Sequence, residues 1–162
     1  MQITSAVVGA SCPCHHPSFV FVFVLVPSLT RPADHVVATV AATVDFALSR
    51  APGTPSPYHA PFAAFVATLL SRAETTPPTL LTALTYVARA RPHLVVSAEE
   101  WARERVFLGA LMAASKYAHD SALRNAHWAL CTPAFGRRDV ARVEREFLAV
   151  VDWQLAVRAD EL

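Results

Sequence analysis

From Trp101 to Asp120 the chain reads WARERVFLGALMAASKYAHD, and between Val106 and Tyr117 only Gly109, Ser115 and Lys116 interrupt the apolar residues. A helix lying on the outside of a globule keeps a wide polar stripe, so this segment is expected to be a helix buried on all sides. It falls short of the roughly 20 apolar residues that a membrane span needs, and charged residues stand on both flanks. Ser97 and Glu100 have the spacing of a capping box after Pro92, which predicts the helix start there. Glycine in a helix interior costs about 1 kcal/mol relative to alanine, so Gly109 points to close approach by a neighbouring helix.

The same periodicity predicts further helices on either side. Val37, Val40, Ala41, Val44 and Leu48 share one face of a helix over His35 to Ser49, with Asp34 as its expected N-cap. Pro52, Gly53, Pro55, Pro57 and Pro61 then make a linker, and Pro61 opens the next helix in its first turn. Phe62, Phe65, Val66, Leu69, Leu70 and Ala73 form a single stripe. Thr76 caps and Pro77 opens another helix, with Leu80, Ala83, Leu84 and Val87 inward and Pro92 at its end. After the apolar helix, Asp120 or Ser121 is placed to cap a short helix through Cys131, carrying Leu123, Ala126, Trp128 and Leu130. A last helix over Arg137 to Ala156 puts Val140, Val143, Phe147 and Val150 on one face, with Glu144, Leu148, Val151 and Leu155 beside it. No alternating strand pattern follows residue 35. The expected fold is all-α: a leading helix, a proline-rich linker and a bundle of five helices around the third.

Composition adds limits. A chain of 162 residues suits one domain with a real core. A hydrophobic fraction of 54% against 17% charged is high for a soluble domain and fits a surface that meets a partner. A net charge of +1 supplies no overall attraction to nucleic acid or to an anionic membrane. Cys12, Cys14 and Cys131 are no disulfide framework and suit a reducing interior, nuclear or cytoplasmic. Residues 1–33 read as an irregular tail. Within it Phe19 to Val26 is strand-like, yet it has neither the length of a membrane span nor the basic region and cleavage site of a signal peptide. Cys12-Pro-Cys14-His15-His16 clusters soft ligands too tightly for a structural zinc site and has no second pair to complete one.

Phe107-LGALMAASKYAHDSALRNAHWAL followed by Val140-ARVEREFLAVVDWQL resembles the middle and end of a cyclin box, in particular that of the fungal phosphate-signalling cyclins. The resemblance rests on Ser115-Lys116-Tyr117, on Asn125 with Trp128-Ala129, and on Glu144 followed by Phe147-Leu148 and Asp152-Trp153. It extends back to about Ala60, so the box is expected over 60–157, with the leading helix and linker over 34–59 and a short tail over 158–162. Ala88 and Leu123 depart from the pattern, since cell-cycle cyclins often carry aspartate at the first position and fungal relatives tyrosine at the second. The resemblance implies a five-helix cyclin fold, a cyclin-dependent protein kinase as partner, and a non-catalytic role as its activating subunit, without cofactor, metal, small-molecule ligand or membrane. It also implies that Lys116 and Glu144 anchor the kinase, with Tyr117, Leu148 and Trp153 beside them.

The chemistry of the pair agrees with that role. An ammonium offers only donors and a carboxylate only acceptors, so together they can hold carbonyl and amide groups of a partner's backbone. The plain alternative is a frayed Lys116 and a Glu144 paired with Arg145 or another nearby arginine. Arg137, Arg138, Arg142 and Arg145 could instead touch phosphates in a cyclin-fold nucleic-acid or transcription-factor module, although Asp139, Glu144 and Glu146 interleave them. A structural relative that activates nothing is a further alternative. Catalysis has the least support: His119, Asp120 and His127 lack a nucleophile in a recognisable setting, and Cys131 reads as a small core residue.

Overall fold

The computed structural model describes residues 32–51, 56–132, 134–158 and 161. The apolar run Phe19 to Val26, the Cys12 to His16 cluster and the middle of the proline-rich linker lie outside the described residues. Among those described, the chain forms six helices and no strand: α1 Pro32–Ala47, α2 His59–Arg72, α3 Pro77–Ala90, α4 Ala102–Ala118, α5 Asn125–Cys131 and α6 Arg137–Val150. None is long and apolar enough to cross a membrane.

Helix α4 is the axis of the bundle. Every residue from Ala102 to Ala114 except Arg105 is buried. Around it close Val36, Val40 and Val44 of α1, Phe62, Val66 and Leu69 of α2, Tyr86 and Val87 of α3, and Val140, Val143 and Phe147 of α6. Phe62 meets Phe107 edge to face with ring centroids 6.3 Å apart, a geometry that suits the quadrupoles of two aromatic rings. Gly109 has the role its position suggests: a Cβ built there would lie 2.5 Å from the Cβ of Phe147. Helix α6 therefore crosses α4 over a bare backbone.

The helix ends differ from expectation in four places. Helix α1 starts at Pro32, so Asp34 lies in its first turn instead of capping it; proline is at home there because the first amide groups of a helix have no partner in any case. The Ser97–Glu100 capping box does not form. Helix α4 begins at Ala102 behind a left-handed Trp101 with φ of 61°, without a side-chain cap. The preceding segment is tied down by Glu99 instead, and the turn is held from the side by the Trp101–Phe135 and Phe65–Phe135 edge-to-face contacts. The short helix α5 starts only at Asn125 and buries Trp128 and Cys131, leaving Leu130 exposed, since a helix of two turns has one face to give to the core. Helix α6 stops at Val150, because Asp152 and Trp153 adopt left-handed conformations with φ of 50° and 57°. The Trp153 amide donates back to the Leu148 carbonyl at 3.0 Å, a closure of the Schellman type.

The reversed chain then runs across α3 as a strap. The Arg89 guanidinium donates to the carbonyls of Gln154 and Ala156, each at 2.8 Å, and the Tyr86 hydroxyl donates to that of Leu155 at 2.6 Å. Burial pushes the Tyr86 phenol up to about 12, so it remains a donor across the ordinary pH range.

A charged cluster fastens α1 to the start of α4. Arg103, whose side chain is 1% exposed, donates to Asp45 of α1 at 2.7 Å and to Glu99 at 2.9 Å. Arg50 grips the same Glu99 carboxylate with both terminal nitrogens, and the Ser56 hydroxyl donates to it at 2.7 Å. An arginine this deep is tolerable only when its charge is matched. Hydrogen bonding from Arg50, with Ser56 and Arg103 adding to it, holds the Glu99 carboxyl down at about 2 against an ordinary 4.5.

Two outcomes follow from this packing. Gly109→Ala should destabilise the fold by about 1–3 kcal/mol in urea or thermal unfolding, because neither the α4 backbone nor the Phe147 Cβ can give way. Because the folded value of Glu99 lies below the unfolded one, its contribution is complete above about pH 5 and is lost as pH falls toward 2. Unfolding followed along pH should accordingly show Glu99→Gln less stable than wild type at neutral pH, with the difference closing in that acid window.

Candidate partner-binding site

The last turn of α4 emerges from the bundle at Ser115, and the residues after it are exposed. Lys116 is the basic residue of that turn, where the partial negative charge of the helix end favours a cation. Glu144 stands midway along α6, three residues before the Phe147 that crosses Gly109. Lys116 Nζ lies 2.5 Å from Glu144 Oε1. The ammonium side chain is 34% exposed and the carboxylate 14%, so the pair sits at the surface in a shallow, half-shielded setting.

A third side chain completes the arrangement. Asn125, the first residue of α5, accepts from Lys116 Nζ through Oδ1 at 2.5 Å and donates from Nδ2 to Glu144 Oε2 at 2.7 Å. The amide can be oriented only one way here, since its oxygen must face the ammonium and its nitrogen the carboxylate. Asn125 belongs to the stretch that carries the resemblance, but its part in the site was not legible: the sequence does not reveal that the chain between α4 and α5 returns to lay the start of α5 against both partners.

The other expected contact residues divide. Tyr117 and Trp153 are 54% and 66% exposed, Tyr117 next to Lys116 and Trp153 in the left-handed turn after α6. Leu148 is buried and joins the core cluster with Phe147 and Trp128, because it lies on the inward side of α6. Little of it is open to a partner.

The arginines of α6 do not claim Glu144. Arg142 Nε pairs with Glu146 Oε1 at 3.1 Å, and Arg105 of α4 pairs with the same Glu146. Neighbouring carboxylates are thus partitioned, Glu146 to the arginines and Glu144 to the lysine. This also neutralises part of the basic run that might have faced phosphates. Of the residues considered for catalysis, His119 Nε2 lies 3.0 Å from the Thr79 hydroxyl and ties the end of α4 to α3. Cys131 is buried and its thiol is pushed up by that burial, which makes it a packed sulfur without nucleophilic character.

Residues 41–156 match the cyclin N-terminal domain, a stretch that runs from α1 into the strap after α6. The chain belongs to the cyclin N-terminal domain family. It is similar to PHO85 cyclin-2 of Saccharomyces cerevisiae, at 34% identity over 105 residues that cover 63% of this chain and 34% of the relative. It is also similar to PHO85 cyclin-1 of the same yeast, at 30% over 118 residues, 68% of this chain and 42% of the relative. PHO85 cyclin-9 is 29% identical over 101 residues, 60% of this chain and 33% of the relative. The chain therefore spans about a third to two fifths of these relatives' length. No solved structure matches it. Cyclins as a family are non-catalytic kinase regulators.

Because Lys116 and Glu144 are fastened at a partly exposed surface while the core lies beneath them, the fold of this cyclin domain should not depend on the pair. Replacing both by alanine should move unfolding stability by no more than about 1 kcal/mol, as measured by thermal melting.

Proposed function

We propose that this cyclin domain is a regulatory subunit that binds a cyclin-dependent protein kinase of the PHO85 type and activates it by docking on its αC helix. The observation that carries this reading is the Lys116–Glu144 pair, assembled from two helices at the exposed end of the buried axis. Lysine has three donors and a carboxylate several lone pairs, so the pair retains capacity after satisfying itself. A partner segment can therefore be held by its backbone carbonyl and amide groups, with exposed aromatic surface from Tyr117, which follows Lys116 in the chain, and from Trp153 in the turn after α6. The similarity to PHO85 cyclins supports the choice of partner class.

The action is mechanical. In an active kinase the glutamate of αC reaches the lysine that positions ATP, and a cyclin that prefers the inward αC state shifts the population toward it. Moving a kinase from mostly inactive to mostly active takes about 5.5 kcal/mol of differential affinity. An interface of standard size, roughly 1,600 Å² in total, is sufficient when its centre is well packed. Backbone recognition gives position, and the surrounding apolar contact gives strength.

Charge-assisted hydrogen bonds to an interface contribute about 1.5–3 kcal/mol each. The double variant Lys116→Ala, Glu144→Ala should therefore keep its helical circular dichroism and lose kinase capture by roughly 100-fold or more in a pull-down against purified PHO85 kinase. Undiminished capture by the double variant would remove this site from the interface.

A further inference from the structure

Taken separately, Lys116 and Glu144 are poor anchors. Each is a long, rotamer-rich side chain at a surface, and each immobilised on docking costs binding free energy. In this cyclin both are already immobilised before any partner arrives, and by the same residue. Asn125 accepts from Lys116 Nζ at 2.5 Å and donates to Glu144 Oε2 at 2.7 Å, while the ion pair closes the third side at 2.5 Å. Asn125 is itself fixed in the first turn of α5, whose Trp128 is buried in the core.

We propose that Asn125 is a positioning residue of the kinase-binding site, closing a three-membered ring that presents Lys116 and Glu144 in their docking conformations. The inference rests on the reading of that pair as the kinase anchor. The ring leaves valences facing outward. Lys116 spends two of three ammonium donors within it, Asn125 one of two amide hydrogens, and each Glu144 oxygen keeps a lone pair. A partner's backbone carbonyl and amide can be added without breaking any bond of the ring. Without Asn125 only the ion pair itself restrains the ammonium and the carboxylate, both side chains can swing into solvent, and docking must order both.

The test measures the affinity of the full chain for purified PHO85 kinase by isothermal titration. Asn125→Ala should bind about ten-fold more weakly, the scale set by ordering two such side chains on docking, with its melting temperature unchanged. Should the alanine variant unfold, Asn125→Ser keeps a small polar residue in the first turn yet cannot span both partners, and should weaken binding to the same extent. Asn125→Asp separates positioning from simple structural support, because it keeps the shape and the oxygen that accepts from Lys116 Nζ but loses the amide hydrogen that Glu144 Oε2 accepts. It should keep its helical circular dichroism and still bind about ten-fold more weakly. Wild-type affinity in Asn125→Ala or in Asn125→Asp overturns the inference while the double variant at Lys116 and Glu144 still fails to bind. If that double variant binds normally, or wild type does not bind, the reading of the anchor falls and takes this inference with it.

Discussion

The structure turns on the contact between Gly109 and Phe147. Only a residue without a Cβ lets α6 lie directly on the backbone of α4, and the position of everything at the exposed end is inherited from that crossing. Lys116 follows Gly109 by seven residues, about two turns and 10 Å along nearly the same face. Glu144 precedes Phe147 by three residues and so shares its side of α6. Bring the two backbones to contact at one point, and a lysine side chain is long enough to meet the carboxylate at the other. A side chain at position 109 would push α6 outward and open that gap, although it touches neither charged group.

Much of the fold could be read from periodicity because the apolar stripes are strong and the breakers well placed. The apolar run of Val106 to Ala114 announced a buried helix, and Gly109 within it announced a close approach by some neighbouring helix, which the structure shows to be α6. Pairs such as Thr76-Pro77 marked a helix start that the structure keeps. What periodicity missed were ends decided by tertiary contact. Ser97 and Glu100 looked like a cap, but the adjacent Glu99 is captured by two arginines, one of them distant in sequence, and this outweighs a local hydrogen bond. At the far end of α6, apolar residues continue past Val150 in a helical pattern, while Asp152 and Trp153 turn left-handed and the strap finds Arg89 and Tyr86 instead.

The site was legible in part, for a related reason. Lys116 at a helix end and Glu144 on a helix face could be named from the resemblance to the cyclin box, not from their spacing. That they touch is a fact of crossing geometry. The resemblance places Leu148 beside the pair, whereas spacing alone favours the core, and it lies buried on the inward side of α6. Glu146 has Arg142 one helical turn before it, whereas no arginine stands three or four residues from Glu144, so local spacing already favours Glu146 for the arginines. Arg105 adds to this by reaching Glu146 from α4.

Arg103 has an implication that reaches beyond its own ion pairs. Its guanidinium lies in the interior and is matched by one carboxylate from α1 and one from the turn before α4, so the leading helix supplies counter-charge to the bundle as well as apolar cover through Val36, Val40 and Val44. Positions 45, 99 and 103 are thereby coupled through charge: losing one acid leaves Arg103 and Arg50 to share the other, in a medium that solvates a cation poorly. A methionine or leucine at position 103 would remove only the interior charge, since Arg50 would still draw on both Asp45 and Glu99 and keep the leading helix tied to the segment before α4.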